Sequence, residues 1–516
     1  MPDLLTTYAA AHPDKDAVIE GDVVLSYADL ERVANRMGNV LQDLGARAGD
    51  RVVWCGQNGW EVVGIVAASR KTGVVSVPLN YRLSSDEAAY VIDNCDATIV
   101  LFDAEQADQL APCVERCPKV QHWVAYRCAA AAVPSWAVHL ETAMETASEA
   151  EVEPMGGEAG DGGSMIYTSG TTGKPKGALR RTGPNAEVTG ALVQLIGYKP
   201  DDVYLTTGPL YHSGPLGFMG IVQLFGGTVI VQRHFDAEDW LRLIEKHRVT
   251  TTFSAPTPVR RVVDLPEDVR ARYDYSSMER LIANAAPWPF ELKRKYVEAF
   301  GDTSLWEVYG STELGVNTVL RPEDQMRKPG SCGRAAPLVE VVLFDEDGNR
   351  VTTPMEPGEL YVRSQGAFDT YWKAEEKFEA SKREDYLTVG DIAYVDEEGF
   401  FYICDRKNDM IISGGMNIYP AEIEAVLVAH PAVADAAVFG IPSDEWGESV
   451  HATITVYEGQ DPSDDEIRAF ARDHLASYKV PRSFDRMAEI PRSASGKILK
   501  KELRAPYWEG RASQVG

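Results

Sequence analysis

One segment of the sequence combines the residue types that surround phosphate groups. Residues 167–177 read Tyr-Thr-Ser-Gly-Thr-Thr-Gly-Lys-Pro-Lys-Gly, with three glycines and four small hydroxyl residues. Backbone amides, hydroxyls and ammonium groups of such a loop can wrap phosphate oxygens. A flexible linker is the alternative, although linkers rarely follow an apolar strand directly. The loop is not a Walker A motif, because Pro175 follows Lys174 where that motif has a Ser or Thr entering a helix.

Several apolar strands run straight into turns of unusual composition. The predicted pairs of strand and turn are 165–167 with 168–170, 251–253 with 254–256, 281–282 with 283–287, and 305–308 with 309–313. In open α/β sheets, ligands bind beyond the carboxyl ends of the strands. The sequence therefore predicts that these four turns share one cleft.

The elements that carry these turns alternate along the chain. The pattern predicts strands at 51–55, 74–79 and 97–102, with helices at 59–71 and 84–95 between them. Strands that alternate with helices indicate βαβ units and mainly parallel sheets. Residues 128–163 are rich in Ala, Glu and Gly with weak periodicity, and we interpret them as an irregular connection.

The C-terminal third has a different pattern. From Gly358 onward, short strands and tight turns predict a small β subdomain, with residues 394–403 folded around the turn 397–399. Beyond it, helices at 421–429 and 463–475 and strands at 433–439 and 451–456 predict a small α+β domain. We place the boundary in the polar run 405–409, which gives domains 1–405 and 406–516. The fold class is α/β, with a large N-terminal domain of parallel-rich α/β sheets plus the β subdomain, followed by the small α+β C-terminal domain.

Length and composition restrict the class of protein. The chain has 516 residues, of which 44% are hydrophobic and 25% charged, which is typical of a soluble protein of two or more domains. No apolar run reaches the roughly 18 residues of a transmembrane segment, and the N-terminus lacks the features of a signal peptide. The seven scattered cysteines read as reduced thiols, so we expect a cytoplasmic protein. A homodimer is compatible with these properties.

The net charge of −27 argues against a nucleic-acid partner, which would require a basic surface. An acidic protein that binds polyanions must also concentrate positive groups and backbone amides at the phosphate site, as the loop 167–177 does.

The loop resembles the signature loop of the adenylate-forming superfamily, which contains acyl-CoA synthetases, beetle luciferases and the adenylation domains of peptide synthetases. Further motifs follow in the family's order along nearly the whole chain: 209–214, 283–287, 309–313, 390–391, 405–415, 446–448 and 490–498. The resemblance implies ATP-dependent activation of a carboxylic acid, with Mg²⁺ as cofactor and coenzyme A as co-substrate.

The resemblance assigns the ATP site residue by residue. Tyr309 would stack on adenine, Thr312 would contact phosphate, Glu313 would bind Mg²⁺, and Asp391 would accept the ribose hydroxyls. Lys497 would bridge the carboxylate and the α-phosphate, an interaction worth about 3–4 kcal/mol. The remaining ATP-binding candidates are Thr168 (also a catalytic candidate), Ser169, Gly170, Thr171, Thr172, Gly173, Lys176, Ala285, Ala286, Gly310 and Arg406. Asn284 and Val389 stand where the family more often has a small residue and Thr. A Glu after a surface turn and an Asp in a β-turn are the ordinary alternatives for Glu313 and Asp391.

The resemblance also implies a mobile C-terminal domain. Its rotation would exchange Lys497 for the face that carries Gly414 and Gly415, past which the pantetheine arm would reach the adenylate. Trp446 would flank coenzyme A, with a buried core tryptophan as the alternative. Asn408 occupies the hinge, where the family usually has Asp or Lys. The basic cluster 497–504 could also be a solvated face.

The acid itself is only coarsely indicated. His212 resembles the residue beside the substrate carboxylate and would act as a gate or hydrogen-bond donor. The apolar residues that follow predict an apolar acyl pocket, for which the candidates are His212, Phe218, Phe253, Gly310 and Val316. We favour a fatty acid, and an aromatic or steroidal acid stays open. An enzyme that passes the acyl group to a carrier protein or an amine is one alternative, and a non-catalytic nucleotide-binding protein is another.

Overall fold

The computed structural model describes residues 3–155, 163–168, 174–181, 185–406, 409–413, 416–443, 445–492 and 498–509, and only the backbone of Arg406. The α-helices of these residues are α1 (Leu4–Ala11), α2 (Tyr27–Asp43), α3 (Trp60–Thr72), α4 (Ser85–Asn94), α5 (Ala107–Arg116), α6 (Leu140–Thr146), α7 (Ala186–Ile196), α8 (Ser213–Leu224), α9 (Ala237–His247), α10 (Pro256–Val263), α11 (Glu267–Arg270), α12 (Phe290–Phe300), α13 (Glu375–Ala380), α14 (Pro420–Val428), α15 (Asp464–His474) and α16 (Lys500–Trp508).

The strands, in chain order, are β1 (Asp16–Glu20), β2 (Val23–Ser26), β3 (Arg51–Cys55), β4 (Val75–Leu79), β5 (Ala97–Asp103), β6 (His122–Tyr126), β7 (Val138–His139), β8 (Ser164–Thr168), β9 (Lys176–Arg180), β10 (Val203–Thr206), β11 (Thr228–Ile230), β12 (Thr251–Ser254), β13 (Arg280–Ala283), β14 (Leu305–Ser311), β15 (Gly315–Leu320), β16 (Arg334–Ala335), β17 (Glu340–Phe344), β18 (Gly358–Arg363), β19 (Thr370–Tyr371), β20 (Lys382–Arg383), β21 (Tyr386–Leu387), β22 (Asp391–Val395), β23 (Phe401–Arg406), β24 (Ile411–Ser413), β25 (Met416–Ile418), β26 (Val433–Ser443), β27 (Gly447–Val456) and β28 (Ser483–Arg486).

Two large sheets form the N-terminal part. One has the strand order β16-β15-β14-β13-β12-β10-β11-β1-β2, and the other has the order β19-β9-β8-β4-β3-β5-β6-β7. Pairing is parallel from β10 to β14 in the first sheet and from β3 to β6 in the second. The predicted parallel-rich α/β fold is confirmed.

Side chains that alternate along the strands bury both faces of each sheet. Ile282 of β13 and Trp54 of β3 join one core cluster, which also contains residues of α2, α3 and α8. Their neighbours Leu281 and Val53 face outer clusters, the first with α9, α10 and α12 and the second with α4 and α5. The result is an αβαβα arrangement of layers, which explains why these strands read as continuous apolar runs rather than alternating ones.

The β subdomain begins earlier than predicted. Its sheet has the order β20-β21-β18-β22-β23, and β17, which precedes Gly358, pairs with β18. The predicted hairpin around residues 397–399 is present as β22 and β23. In the C-terminal part, β24 to β28 form a separate sheet that packs with α14 and α15 around its own core. All four predicted C-terminal elements are confirmed, and β26 and β27 are longer than expected.

The prediction of an irregular connection over 128–163 is wrong in part. This segment contains the short strand β7 and the helix α6. Leu140 is the one buried residue of α6, and a single buried position produces no apolar period that a sequence pattern could reveal. Within the described residues, none of the helices combines the length and the apolar character that crossing a bilayer requires.

Candidate active site

The predicted convergence of the four turns is confirmed for their described residues, which in the first turn is Thr168 alone. Strands β12, β13 and β14 lie side by side, so the turns after them meet at one edge of the first sheet. Thr168, at the end of β8, arrives from the second sheet and lines the same cleft. The cleft has a volume of 3790 Å³, well above the roughly 300–1,000 Å³ of a pocket for one small molecule. It can therefore hold more than one substrate.

Glu313 is held by two hydroxyl groups inside this cleft. The Thr168 hydroxyl donates to Oε1 of Glu313 at 2.8 Å, and the Tyr371 hydroxyl donates to the same oxygen at 3.1 Å. The side chain is buried, since Glu313 is only 8% exposed. Among the described residues, no donor bonds the other oxygen, Oε2. The two hydroxyls thus orient the carboxylate of Glu313.

The backbone around Glu313 is fixed by a partly buried arginine, Arg180. One guanidinium nitrogen of Arg180 donates to the carbonyl oxygens of Thr312 at 2.9 Å and Glu313 at 3.3 Å. The other terminal nitrogen donates to the carbonyl of Gly366. Burial lowers the pKa of Arg180, while the charges of Asp369 and Glu313 act in the opposite direction. Arg180 joins the phosphate-loop side of the cleft to the turn that carries Thr312.

Thr312 has a second contact through its side chain. Its Oγ1 lies 2.9 Å from Oγ of Ser213, the first residue of α8. The start of α8 is therefore tied to the turn 309–313. This contact brings the predicted acyl pocket next to the predicted phosphate contact.

Tyr309 and Asp391 are also brought together. The Tyr309 hydroxyl donates to Oδ2 of Asp391 at 2.5 Å. Asp391 begins β22 and stands opposite Arg406 in the antiparallel pairing of β22 and β23. Three residues assigned separately from the sequence thus lie within one small region, although the side chain of Arg406 is outside the described part.

The turn after β13 has an unusual backbone. Ala285 has φ = +73°, a left-handed conformation that is uncommon for a residue with a Cβ atom. The side-chain oxygen of Asn284 accepts the hydrogen bond of the Ala285 amide, and the indole of Trp288 donates to the Asn284 carbonyl at 3.3 Å. The Asn at this position therefore stabilises the turn that presents Ala285 and Ala286 to the cleft.

Lys176 is one of the two described lysines of the loop 167–177, and it contacts Tyr371, a hydrogen-bond partner of Glu313. Its ammonium group lies 5.0 Å from the ring centre of Tyr371. Burial lowers the pKa of Lys176, the nearby Lys377 lowers it further, and Glu313 raises it.

The predicted acyl-pocket residues line the cleft together. The rings of Phe218 and Phe253 stack with centres 5.5 Å apart, and both residues are buried. His212 lies immediately before α8, with its ring centre 4.4 Å from that of Tyr211. Gly310 and Val316 complete the set. A Cβ atom on Gly310 would lie 2.0 Å from the carbonyl oxygen of Gly315, so the close approach of the two backbones requires glycine there.

The C-terminal candidates differ in their surroundings. Trp446 is 38% exposed and packs under the guanidinium of Arg482 at 4.6 Å, so it is not a core residue. The interpretation of the basic cluster as a solvated face is wrong for two of its members. The side chain of Lys500 is only 12% exposed and its ammonium group lies 2.9 Å from Glu424, and Arg504 lies 2.8 Å from Glu448. These pairs hold α16 against the domain.

Some predicted site residues lie outside the described residues. They are Ser169, Gly170, Thr171, Thr172, Gly173, Asn408, Gly414, Gly415 and Lys497. Sequence reasoning missed Arg180 and Tyr371, and it gave no separate role to Ser213, which lies within the predicted motif 209–214. Arg180 could have been suspected from its position four residues after Lys176, whereas nothing in the local sequence marks Tyr371.

Comparison with known proteins shows which family this chain resembles. The AMP-binding enzyme family matches residues 5–372, and the AMP-binding enzyme C-terminal domain matches residues 422–497. A feruloyl-CoA synthase from an Amycolatopsis species is 34% identical over 504 residues, covering 97% of each chain. The long-chain-fatty-acid–CoA ligase FadD13 of Mycobacterium tuberculosis is 32% identical over 510 residues, covering 98% of each chain.

A solved structure agrees in fold over the full length. The o-succinylbenzoate CoA synthetase MenE from Bacillus subtilis, in complex with its acyl-adenylate intermediate, superimposes with a TM-score of 0.83 at 29% identity. The match covers 100% of this chain and 99% of that one. The motifs, the layered fold and these matches agree, and the chain belongs to the AMP-binding enzyme family of the adenylate-forming superfamily.

Proposed function

We propose that this protein is an AMP-forming acid–thiol ligase that converts an apolar carboxylic acid into its coenzyme A thioester. The observation that carries the proposal is the convergence of Thr168, Tyr309, Thr312, Glu313 and Asp391 at one sheet edge, with Glu313 held by two hydroxyls. The names of the full-length relatives support the thiol as acceptor.

In the first half-reaction, a carboxylate oxygen of the acid attacks the α-phosphorus of ATP. A new oxygen–phosphorus bond forms as the bond to pyrophosphate breaks, which gives acyl-AMP. Asp391 would accept the ribose hydroxyls, and its bond from Tyr309 would fix its orientation. Lys497 would neutralise the charge that develops on the phosphate oxygens.

The donors around Glu313 fit Mg²⁺. This ion prefers a few carboxylate oxygens and completes its shell with water and substrate phosphates. Among the described residues, no cluster of three or more His, Cys, Asp and Glu side chains could hold a metal ion. When bound, Mg²⁺ would stabilise negative charge on the phosphates.

In the second half-reaction, the thiol sulfur of coenzyme A attacks the acyl carbon, AMP leaves with the bonding electrons, and the thiol proton is released. The domains 1–405 and 406–516 would change their relative orientation about Asn408 between the two steps. Gly414 and Gly415 would then line the pantetheine passage, and Trp446, which is exposed, would be accessible to coenzyme A.

The test is pyrophosphate exchange into ATP across a panel of carboxylic acids, followed by thioester analysis with and without coenzyme A. We expect exchange to need an acid and Mg²⁺, and the acid to be consumed to thioester only when coenzyme A is present. Exchange without a thioester product would favour a carrier protein or an amine as acceptor. No exchange with any acid would overturn the proposal and favour a non-catalytic nucleotide-binding protein.

A further inference from the structure

A buried side-chain amide joins the two large sheets beside the cleft. Asn58 lies in the turn between β3 and α3, at the end of the second sheet, and it is only 7% exposed. Its Nδ2 atom donates to the carbonyl oxygens of Gly208 at 3.1 Å and Gln232 at 3.3 Å. Its Oδ1 atom accepts the hydrogen bond of the Leu210 amide at 2.8 Å. All three partners belong to connections that follow β10 and β11 of the first sheet.

The chemistry of asparagine matches these partners. Its side chain has two donor hydrogens and an acceptor oxygen, and both kinds of group are used here. The partners are backbone groups, which need a hydrogen bond when they are buried. An apolar residue in place of Asn58 would remove all three hydrogen bonds, at a buried position where water cannot readily replace them. Asn58 therefore contributes to the order of the connections that it bonds.

The bonded connection leads directly to His212. The His212 amide donates to the Pro209 carbonyl at 3.1 Å and closes a turn over residues 209–212. The Leu216 amide donates to the His212 carbonyl at 3.1 Å, in the first turn of α8. Asn58 bonds the residues on both sides of Pro209, so it fixes the turn from which His212 and α8 begin.

Aromatic packing from the second sheet supports the same turn. The ring of Tyr81, in the loop after β4, meets the ring of Tyr211 edge-on with the ring centres 5.5 Å apart. The ring centre of Tyr211 is in turn 4.4 Å from that of His212. The second sheet thus contacts the turn through a polar side chain and through an aromatic one.

We infer that Asn58 is a positioning residue for His212. By fixing the backbone of residues 208–210, it sets the place of the imidazole at the start of α8 and thereby the binding of the acid's carboxylate. The inference rests on the proposed function, because it needs the acid to be activated at this place. Tyr309 and Asp391, which are proposed to hold the nucleotide, lie on other strands, β14 and β22. Loss of Asn58 should therefore affect the acid more than ATP.

The test is Asn58→Ala in the pyrophosphate-exchange assay, with the acid and ATP varied in turn. The probe is the carboxylic acid with the highest exchange rate in the panel. We expect kcat/KM for the acid to fall by about ten- to a hundredfold, mostly through KM, because buried backbone groups lose their partners and the turn is no longer held. The KM for ATP should stay within about threefold of that of the unmodified protein.

A double-variant cycle shows whether Asn58 acts through His212. His212→Ala removes the imidazole that Asn58 is inferred to position. In this background, Asn58→Ala should lower kcat/KM for the acid by no more than about threefold further, because residues that act together are not additive. Two losses that simply multiply would mean that Asn58 acts independently of His212, and the inference would be overturned.

The chain offers a matched control in another buried asparagine. Asn35 of α2 is 4% exposed, and its Nδ2 atom donates to the carboxylate of Glu31 and to the carbonyl of Glu149, both at 3.2 Å. Asn35 and these two partners do not line the cleft. Asn35→Ala should lower the unfolding temperature but leave KM for the acid within about twofold. An equal rise in this KM in Asn35→Ala and Asn58→Ala would indicate a general loss of stability and would contradict positioning.

The remaining outcomes separate this inference from the proposed function. If Asn58→Ala does not fold, Asn58→Ser is measured in its place with the same expected result, since the serine hydroxyl is one atom shorter and cannot replace all three bonds. An unchanged KM for the acid in a folded Asn58 variant would overturn the inference and leave the ligase proposal standing. If no acid supports exchange in the unmodified protein, the proposed function fails and the inference fails with it.

Discussion

The two hydroxyl groups that donate to Glu313 give the sharpest test of the proposed cation site. Thr168 donates at 2.8 Å and Tyr371 at 3.1 Å to the same carboxylate oxygen. Thr168→Val removes the closer hydroxyl with little change in shape, and Tyr371→Phe removes the more distant one. Both substitutions keep the charge of Glu313 and change only what orients it.

The size of the effect follows from the burial of the carboxylate. A hydrogen bond to a charged group contributes about 1.5–3 kcal/mol, and Glu313 at 8% exposure has little water to replace a lost donor. Loss of groups that orient metal ligands typically costs about 10–100-fold in metal affinity. We therefore expect the Mg²⁺ concentration for half-maximal activity to rise about 10–100-fold in Thr168→Val. The rise in Tyr371→Phe should be smaller, because its hydrogen bond is longer.

The assay is a Mg²⁺ titration of pyrophosphate exchange at saturating ATP and acid. Glu313→Gln, which keeps the shape and removes the charge, sets the upper limit of the effect. In the double variant of Thr168 and Tyr371, the combined change should be smaller than the product of the two single changes, because both hydroxyls act on one oxygen. Thr168→Ser keeps the donor and should restore most of the Mg²⁺ affinity.

One result would refute this reasoning. If Thr168→Val and Thr168→Ser impaired exchange equally, with the Mg²⁺ half-saturation unchanged in both, then Thr168 would not act through Glu313. An unchanged Mg²⁺ titration in Glu313→Gln would remove Glu313 from the cation site altogether.

Three further predictions concern single residues. Lys497→Ala should slow adenylation by at least about a hundredfold through loss of charge stabilisation but spare thioester formation from supplied acyl-AMP. Equal losses in both half-reactions would contradict this role. Asn408→Pro should keep pyrophosphate exchange within about tenfold of the unmodified rate and lose most thioester synthesis, because proline fixes φ and would block rotation. Acyl-CoA formation at the unmodified rate would show that the hinge is not at Asn408. Gly310→Ala should lower the free energy of unfolding by about 1–3 kcal/mol and reduce adenylation, because its Cβ meets the Gly315 carbonyl at 2.0 Å. Gly190→Ala, on an open helix surface, is the control and should not destabilise the protein. An unfolding midpoint for Gly310→Ala equal to that of the unmodified protein would show that the backbone can shift at no cost.

Much of the fold could be predicted from local pattern. The apolar runs at β3 to β5 and at β12 to β14 are long and bounded by clear turns, so their existence and their parallel arrangement follow from the sequence. Helix α4 was equally well marked, because Ser84 and Glu87 form a capping box at its start. Helix α6 was missed, since only Leu140 is buried in it. The early start of the β subdomain was missed because β17 precedes the change in composition.

The candidate site, like the fold, was predicted only in part from the sequence. The residues after the strands were found because ligand chemistry in this fold class collects at strand ends, and they do line one cleft. Their roles stay predictions, as do the domain boundary, Mg²⁺ binding by Glu313 and the hinge at Asn408. The alternative of a core position for Trp446 could be excluded only by the structure, because a lone tryptophan in sequence has no marker of exposure.

The sequence by itself determined the family, the α/β class and the positions of the motif residues, because each of these depends on neighbours a few residues apart. Only the tertiary structure decided what holds those residues in place. Tyr371 reaches Glu313 from 58 positions away, Arg180 reaches Thr312 from 132 positions away, and Ser213 reaches Thr312 from 99 positions away. It also decided that Asn58 bonds Gly208 and Leu210, which lie 150 and 152 positions away. Such contacts depend on how two sheets and the helices between them pack, and no local spacing in the chain encodes that geometry.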